Sequence, residues 1–127
     1  MDLSDEPLFA LADQRLAWVD ARQTLLARNI ANADTPHWQA HDLLPFAATL
    51  QQANVTLART DPAHLAPPES AGGTFGTQAV VAEQSPDGNS VALDAQLAKV
   101  ADTDAAHELV MNLTKTYLGL LRTAIGR

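Results

Sequence analysis

The residues most able to do chemistry are His37, His41 and Asp42, in the run His37-Trp38-Gln39-Ala40-His41-Asp42. Two histidines at i and i+4 share a face when the backbone is helical and could then hold a divalent metal. Here Thr35-Pro36 precedes the run and Pro45 follows it, so a stable helix is not expected. No third ligand accompanies the pair, and the histidines read as solvated or interface groups, with no metal. His107 falls in an apolar helical row and reads as a partly buried core residue, whereas His64 reads as a packing or hydrogen-bonding group in a Pro-rich stretch. The sequence contains no G-x-S-x-G elbow, no phosphate-binding loop and no dinucleotide fingerprint. It contains no cysteine, which excludes disulfides, zinc-thiolate sites and thiol nucleophiles. The expectation is a chain that is not an enzyme and uses no cofactor and no small-molecule substrate.

A second group of polar residues is more informative. Asn29 and Asn32 stand at i and i+3 in Leu26-Ala27-Arg28-Asn29-Ile30-Ala31-Asn32-Ala33-Asp34-Thr35-Pro36. They share a helix face. Asparagine is a mediocre helix former, but where a helix ends its amide satisfies free carbonyls and it tolerates left-handed geometry. The plain alternative is a helix stop with solvated amides.

The elements that position these residues follow from periodicity. From about Leu8 to Ala33, apolar residues recur at spacings of three and four through Phe9, Ala12, Leu16, Val19, Leu26 and Ile30, with only Gln23 polar. This is the apolar seam of a helix. Ser4 or Asp5 can cap it, Pro7 suits its first turn, and it must stop by Thr35. From about Val91 to Ile125 a second helix carries Leu93, Leu97, Val100, Asp104, His107, Met111, Thr114, Leu118 and Leu121. A parallel row holds Ala106, Val110, Leu113, Tyr117 and Leu120. Ser85-Pro86-Asp87-Gly88-Asn89 reads as the turn before it, and Gly126 as its end.

Between them, residues 37–90 hold Pro45, Pro62, Pro67, Pro68 and Pro86 and the pair Gly72-Gly73. Val55-Thr56-Leu57 and Gln78-Ala79-Val80-Val81 could be short strands, neither long enough for a sheet alone. The fold expected is mainly α: two long terminal helices, in segments 1–36 and 91–127, packed antiparallel as a coiled-coil-like pair. The segment 37–90 is expected to be extended or irregular, with room for short strands. A helix of that length spans ~39 Å. A lone pair of such helices buries too little to offset its ordering entropy, and the second apolar row would stay uncovered. Packing against other chains is the expected remedy.

Composition narrows the partners. The formal net charge is −7, and Lys99 and Lys115 are the only lysines, so neither a nucleic acid nor an anionic membrane surface is an expected partner. No stretch approaches the ~18 apolar residues of a membrane span, so direct membrane insertion is not expected. Asp2, Asp5 and Glu6 near the start are unlike a cleavable secretory signal. The expectation is a chain that stays in the cytoplasm or leaves by another route.

Asn29-Ile30-Ala31-Asn32-Ala33-Asp34-Thr35-Pro36 resembles the N-terminal signature of bacterial flagellar rod and hook proteins. With Trp38, Ala40 and Asp42 following, it is most similar to the proximal rod family, FlgB. Thr60-Asp61-Pro62-Ala63-His64-Leu65 is similar to a loop motif of that family. Asp87-Gly88-Asn89-Ser90-Val91, then Leu93-Asp94, resembles the start of its C-terminal helix. The motifs occur in family order and together span essentially the whole chain. His37-Trp38 replaces the family's usual Gly-Tyr, Gln96 stands where an acidic residue is common, and His107 where an aromatic is common. His for Gly removes backbone freedom at the turn.

The resemblance implies a structural subunit of the basal-body rod, the periplasmic shaft that transmits motor torque, exported by the flagellum's own type III apparatus. Its implied partners are other rod and basal-body proteins and copies of itself. The implied assembly motif is Asn29, Asn32, Thr35 and Pro36. The implied interface seams are Leu16, Val19, Leu26 and Ile30 on the first helix, and Leu97, Val100, Met111, Leu118 and Leu121 on the second. The competing reading is a small helical cytoplasmic dimer acting as a partner-binding module.

Overall fold

The computed structural model describes residues 7–53 and 75–126. The proposed caps Ser4 and Asp5, the strand Val55-Thr56-Leu57 and the motif Thr60–Leu65 lie outside the described residues. Helix α1 spans Pro7–Ala31, strand β1 His41–Leu43, helix α2 Phe46–Ala53, strand β2 Thr77–Ala79 and helix α3 Leu93–Ile125.

Helix α1 begins at Pro7, whose missing N–H costs nothing in a first turn. It lies antiparallel along α3. The Phe9 ring meets Tyr117 edge-on at 5.5 Å, Gln23 Nε2 donates to Asp104 at 2.8 Å, and Asn29 Nδ2 donates to Gln96 Oε1 at 3.1 Å. Moving up α1 from Phe9 to Asn29 is matched by moving down α3 from Tyr117 to Gln96. The two long helices therefore pack against each other over most of α1.

The middle of the chain is more structured than an extended connector. β1 and β2 form an antiparallel pair with His41 opposite Ala79 and Leu43 opposite Thr77. So short a sheet persists because β1 is also held by α1. Helix α2 corrects the sequence reading, which expected no helix there. Pro45 closes it at the front, its carbonyl accepting from Ala48 N at 2.9 Å and Thr49 N at 3.2 Å. Phe46 anchors it edge-on to Trp18, with ring centroids 6.2 Å apart.

The core is small. Trp18 and Val19 of α1 pack with Leu43 of β1, flanked by Ala21, Leu25, Phe46, Phe75 and Ala106. The covered face of α3 departs from the expected row. Gln96 and Thr103 are buried, and Lys99, Val100, Ala106, Val110, Thr114, Tyr117 and Leu121 are half-buried. Leu93, Leu97, Asp104, His107 and Met111 are exposed, so His107 is not the partly buried core residue its spacing suggested. The cause is polar pairing at the start of α3, which apolar periodicity does not register.

Gly126 ends α3 in left-handed geometry (φ 78°), its N–H donating to the carbonyls of Arg122 and Thr123. Asp94 in the first turn and Arg122 in the last oppose the helix dipole favourably. Among the described residues no helix is long and apolar enough to cross a membrane.

Candidate functional site

Where α1 stops, three segments meet: its last turn, the connection to β1, and the turn before α3. The helix winds down through Asn32 N to the carbonyls of Arg28 (3.2 Å) and Asn29 (3.1 Å), then Ala33 N to Ile30 O (3.1 Å). Past Ala31 the chain leaves the helix, and the carbonyls of the turn that follows need partners from elsewhere. Asn89, far along the chain, supplies one. Asn89 Nδ2 lies 3.0, 2.9 and 2.7 Å from the carbonyl oxygens of Asn32, Ala33 and Thr35. Its Oδ1 accepts from Val91 N at 2.7 Å, which ties the same side chain to the approach to α3.

The turn that presents Asn89 is built locally. Ser85 N donates to Asn89 O, and Gly88 N to Ser85 O, both at 2.8 Å, with Gly88 at φ 80°. It docks on the other loop through His37 N to Asp87 O (3.1 Å) and Ser90 N to Trp38 O (3.0 Å). Ser90 Oγ accepts from Ala40 N at 2.8 Å.

Asn29 is 1% exposed and treats β1 as a strand neighbour would. Its Nδ2 donates to His41 O at 2.7 Å, and its Oδ1 lies 3.4 Å from His41 N. Trp38 Nε1 lies 3.5 Å from the same Oδ1, a long contact. The amide that the sequence placed at a helix end thus binds the first strand and, through Gln96, the other long helix. Asn32 is half-buried. Its Nδ2 donates to Arg28 O at 2.8 Å, while its Oδ1 accepts from Thr35 Oγ1 at 3.1 Å. Thr35 and Pro36 are exposed.

Two turns back along α1 from Asn29, a charged cluster fixes β1 between the helices. Arg22 grips Asp42 with Nε on Oδ1 and Nη2 on Oδ2, both at 2.9 Å. Lys99 Nζ of α3 stands 3.2 Å from Asp42 Oδ2, and Leu43 N donates to Oδ1 at 2.8 Å. Burial pushes the Asp42 carboxyl upward, but its hydrogen bonds to Arg22 and Lys99 and their charges together hold it below its ordinary value. Folding therefore favours the carboxylate. Its contribution is present above the ordinary carboxyl range near pH ~4 and is lost as the pH falls through the lower folded value. The hydrogen bond to Asp42 raises the Arg22 pKa against its own desolvation.

Trp18 stands beside this cluster. Its Nε1 donates to Leu44 O at 2.9 Å, and Arg15 and Arg22 lie 4.6 and 5.3 Å from its ring centroid. Among the described residues every buried side-chain nitrogen and oxygen has a partner.

Among the described residues the histidines are not gathered into a ligand set. His37 is exposed, His41 Nδ1 lies 2.9 Å from Gln39 O, and Asp42 is committed to Arg22 and Lys99. Of the seam residues, Val19 and Leu26 are buried, and Leu16, Ile30, Val100, Leu118 and Leu121 are half-buried. Leu97 and Met111 are 54% and 37% exposed. The sequence reading placed Asn89 and Ser90 in the turn and motif before α3 but gave neither a role, and it gave none to Arg22 or Lys99. A detectable signal existed for Asn89, as the residue after Asp87-Gly88 in a turn. The ion pairs join residues remote in sequence and leave none.

On the outer surface, Leu109, Leu113 and Leu120 of α3 are 68%, 57% and 64% exposed. Toward the start of α1 an apolar groove of about 210 Å³ opens between Leu8, Leu11, Ala12, Phe46, Val110 and Leu113.

No protein-family model matches the chain. Curated relatives do. The chain is 31% identical over its full length, and the relative's, to a flagellar basal body rod protein FlgB of Agrobacterium fabrum. It is 34% identical to FlgB of Cereibacter sphaeroides over 88% of each chain, and 33% identical to FlgB of Escherichia coli over 72% of each. Identity across the whole chain and agreement among species lead to one conclusion: the chain belongs to the FlgB family of flagellar basal body rod proteins.

Proposed function

We propose that this chain is a structural subunit of the flagellar basal-body rod, built into the periplasmic shaft that transmits motor torque. It assembles with other rod and basal-body proteins and with copies of itself. Segments 1–36 and 91–127 supply the axial helices, and segment 37–90 lies between them in sequence. The observation that carries this reading is the exposed apolar row Leu109, Leu113 and Leu120 on the flank of a helix whose adjoining face holds α1. An exposed row at helical spacing is the material of a helix-to-helix contact between subunits.

The mechanism is mechanical. Interdigitated apolar contacts resist sliding, and their strength grows by repetition along the shaft. Contacts that join unlike faces of successive subunits generate a helix rather than a closed ring. The junction of Asn29, Asn32, Thr35 and Pro36 with Asn89 holds the ends of the axial helices in a fixed relation while load passes through them.

The test is genetic. A strain lacking this gene should build the membrane-embedded ring but no hook or filament, and a plasmid copy should restore both. A deletion strain that swims normally would overturn the reading.

A further inference from the structure

Helix α3 buries the wrong residues for its composition. Near its start, Gln96 and Thr103 are 1% and 0% exposed, while Leu93 and Leu97 are 47% and 54% exposed. Gln96 and Leu97 are neighbours in sequence, so their side chains point ~100° apart around the helix. Rolling α3 by that angle would turn Leu93, Leu97 and Met111 toward α1 and carry Gln96 away. It would also turn out Val110, Tyr117 and Leu121, which are half-buried against α1, so the hydrophobic term does not by itself select the rotation.

What opposes the roll is polar and directional. Gln96 Oε1 accepts from the buried Asn29 amide at 3.1 Å, and Lys99 Nζ lies 3.2 Å from Asp42, itself gripped by Arg22. Both contacts are made from the same face of α3, one turn apart. A roll would break them together, leaving one hydrogen of the buried Asn29 amide without its acceptor and Asp42 with Arg22 as its only charged partner. Buried polar groups are best attested as devices that fix the register of a helix pair.

We infer that the Asn29–Gln96 and Asp42–Lys99 contacts select the rotation of α3 and keep Leu93, Leu97 and Met111 on the outside. Their consequence for assembly rests on the rod-subunit reading: the leucines held out are then available to a neighbouring subunit. The selection itself belongs to the single chain.

The chain has no cysteine, so introduced pairs report unambiguously. Phe9 contacts Tyr117, with ring centroids 5.5 Å apart, and Leu118 lies the next ~100° around α3. Phe9→Cys with Tyr117→Cys therefore reports the observed rotation, and Phe9→Cys with Leu118→Cys the rolled one. In the purified full-length chain treated with a short bifunctional thiol cross-linker, the 9–117 cross-link should form in preference to the 9–118 cross-link by roughly tenfold or more. Adding Gln96→Leu and Lys99→Met should bring the ratio to about one or invert it. Gln96→Leu alone, which keeps the ion pair, should give an intermediate ratio, and it decides the matter if the double variant loses its helical circular dichroism. Equal yields in the parent, or an unchanged preference in Gln96→Leu, overturn the inference. No rod is formed in this measurement, so its failure leaves the assembly reading standing, and failure of the motility test leaves this inference standing.

Discussion

His37 occupies the left-handed region at φ 62°, where an L side chain crowds the following carbonyl. The turn that faces it holds Gly88 at φ 80°, and a Cβ built on Gly88 would lie 2.7 Å from His37 Nδ1. The two positions thus share one space, filled by the histidine ring and left open by the glycine. His37→Gly should stabilise the chain by about 1 kcal/mol, because glycine adopts positive φ without steric cost. Gly88→Ala should destabilise it by about 1–2 kcal/mol, from its own φ and from the clash. In the His37→Gly background the Gly88→Ala penalty should shrink, since the ring is gone and only the backbone cost remains. A thermal-denaturation double-mutant cycle measures that coupling, and strictly additive effects would show that the ring does not occupy this space. The resemblance to the rod signature marked this position, because it leads one to expect Gly-Tyr where this chain has His37-Trp38. The identity of the partner, Gly88, was out of reach because only folding brings the two turns together.

At the scale of elements, the end of α1 is set by a residue outside α1. Asn89 reaches three carbonyls of the helix-to-loop segment, whereas Asn32 donates to one, Arg28 O, which also receives the Asn32 backbone N–H. Asn89 is 3% exposed and Asn32 half-buried, so water can replace the Asn32 contact more readily than those of Asn89. Asn89→Ala should therefore cost about 2–3 kcal/mol and Asn32→Leu about 1 kcal/mol, read by urea denaturation of the full chain. Equal costs would return the capping role to Asn32, where the sequence alone put it.

The same contrast explains what was legible. The seam of α1 could be read because Val19 and Leu26, at helical spacing, are buried by apolar contact. The face of α3 could not, because Gln96 and Lys99 turn inward to meet Asn29 and Asp42, and the buried Thr103 hydroxyl bonds back to the Lys99 carbonyl; such pairings have no period. Helix α2 escaped because it is eight residues long, too short for a periodic signal to develop.

At the scale of the whole molecule, the decisive feature is an apolar surface that the described residues leave uncovered. Leu109 and Leu120 are 68% and 64% exposed on α3, on the side away from Thr103 and Leu121. Replacing them by Leu109→Asp and Leu120→Glu removes no buried contact of the single chain. Both acids are tolerated on an exposed helix face, so stability should change by less than about 0.5–1 kcal/mol. In a shaft the same two positions would press against another helix, and each copy would then bury unpaired carboxylates. The penalty recurs at every subunit, so a surface change invisible in the isolated chain becomes an assembly failure. Swimming should be lost while the amount of the protein found outside the cytoplasm is unchanged, separating assembly from export. Circular dichroism of the purified double variant guards against simple misfolding. Normal motility in a strain carrying only the double variant would show that this row is solvated in the working flagellum, and the contact between subunits would have to be sought on the opposite flank, at Leu97 and Met111.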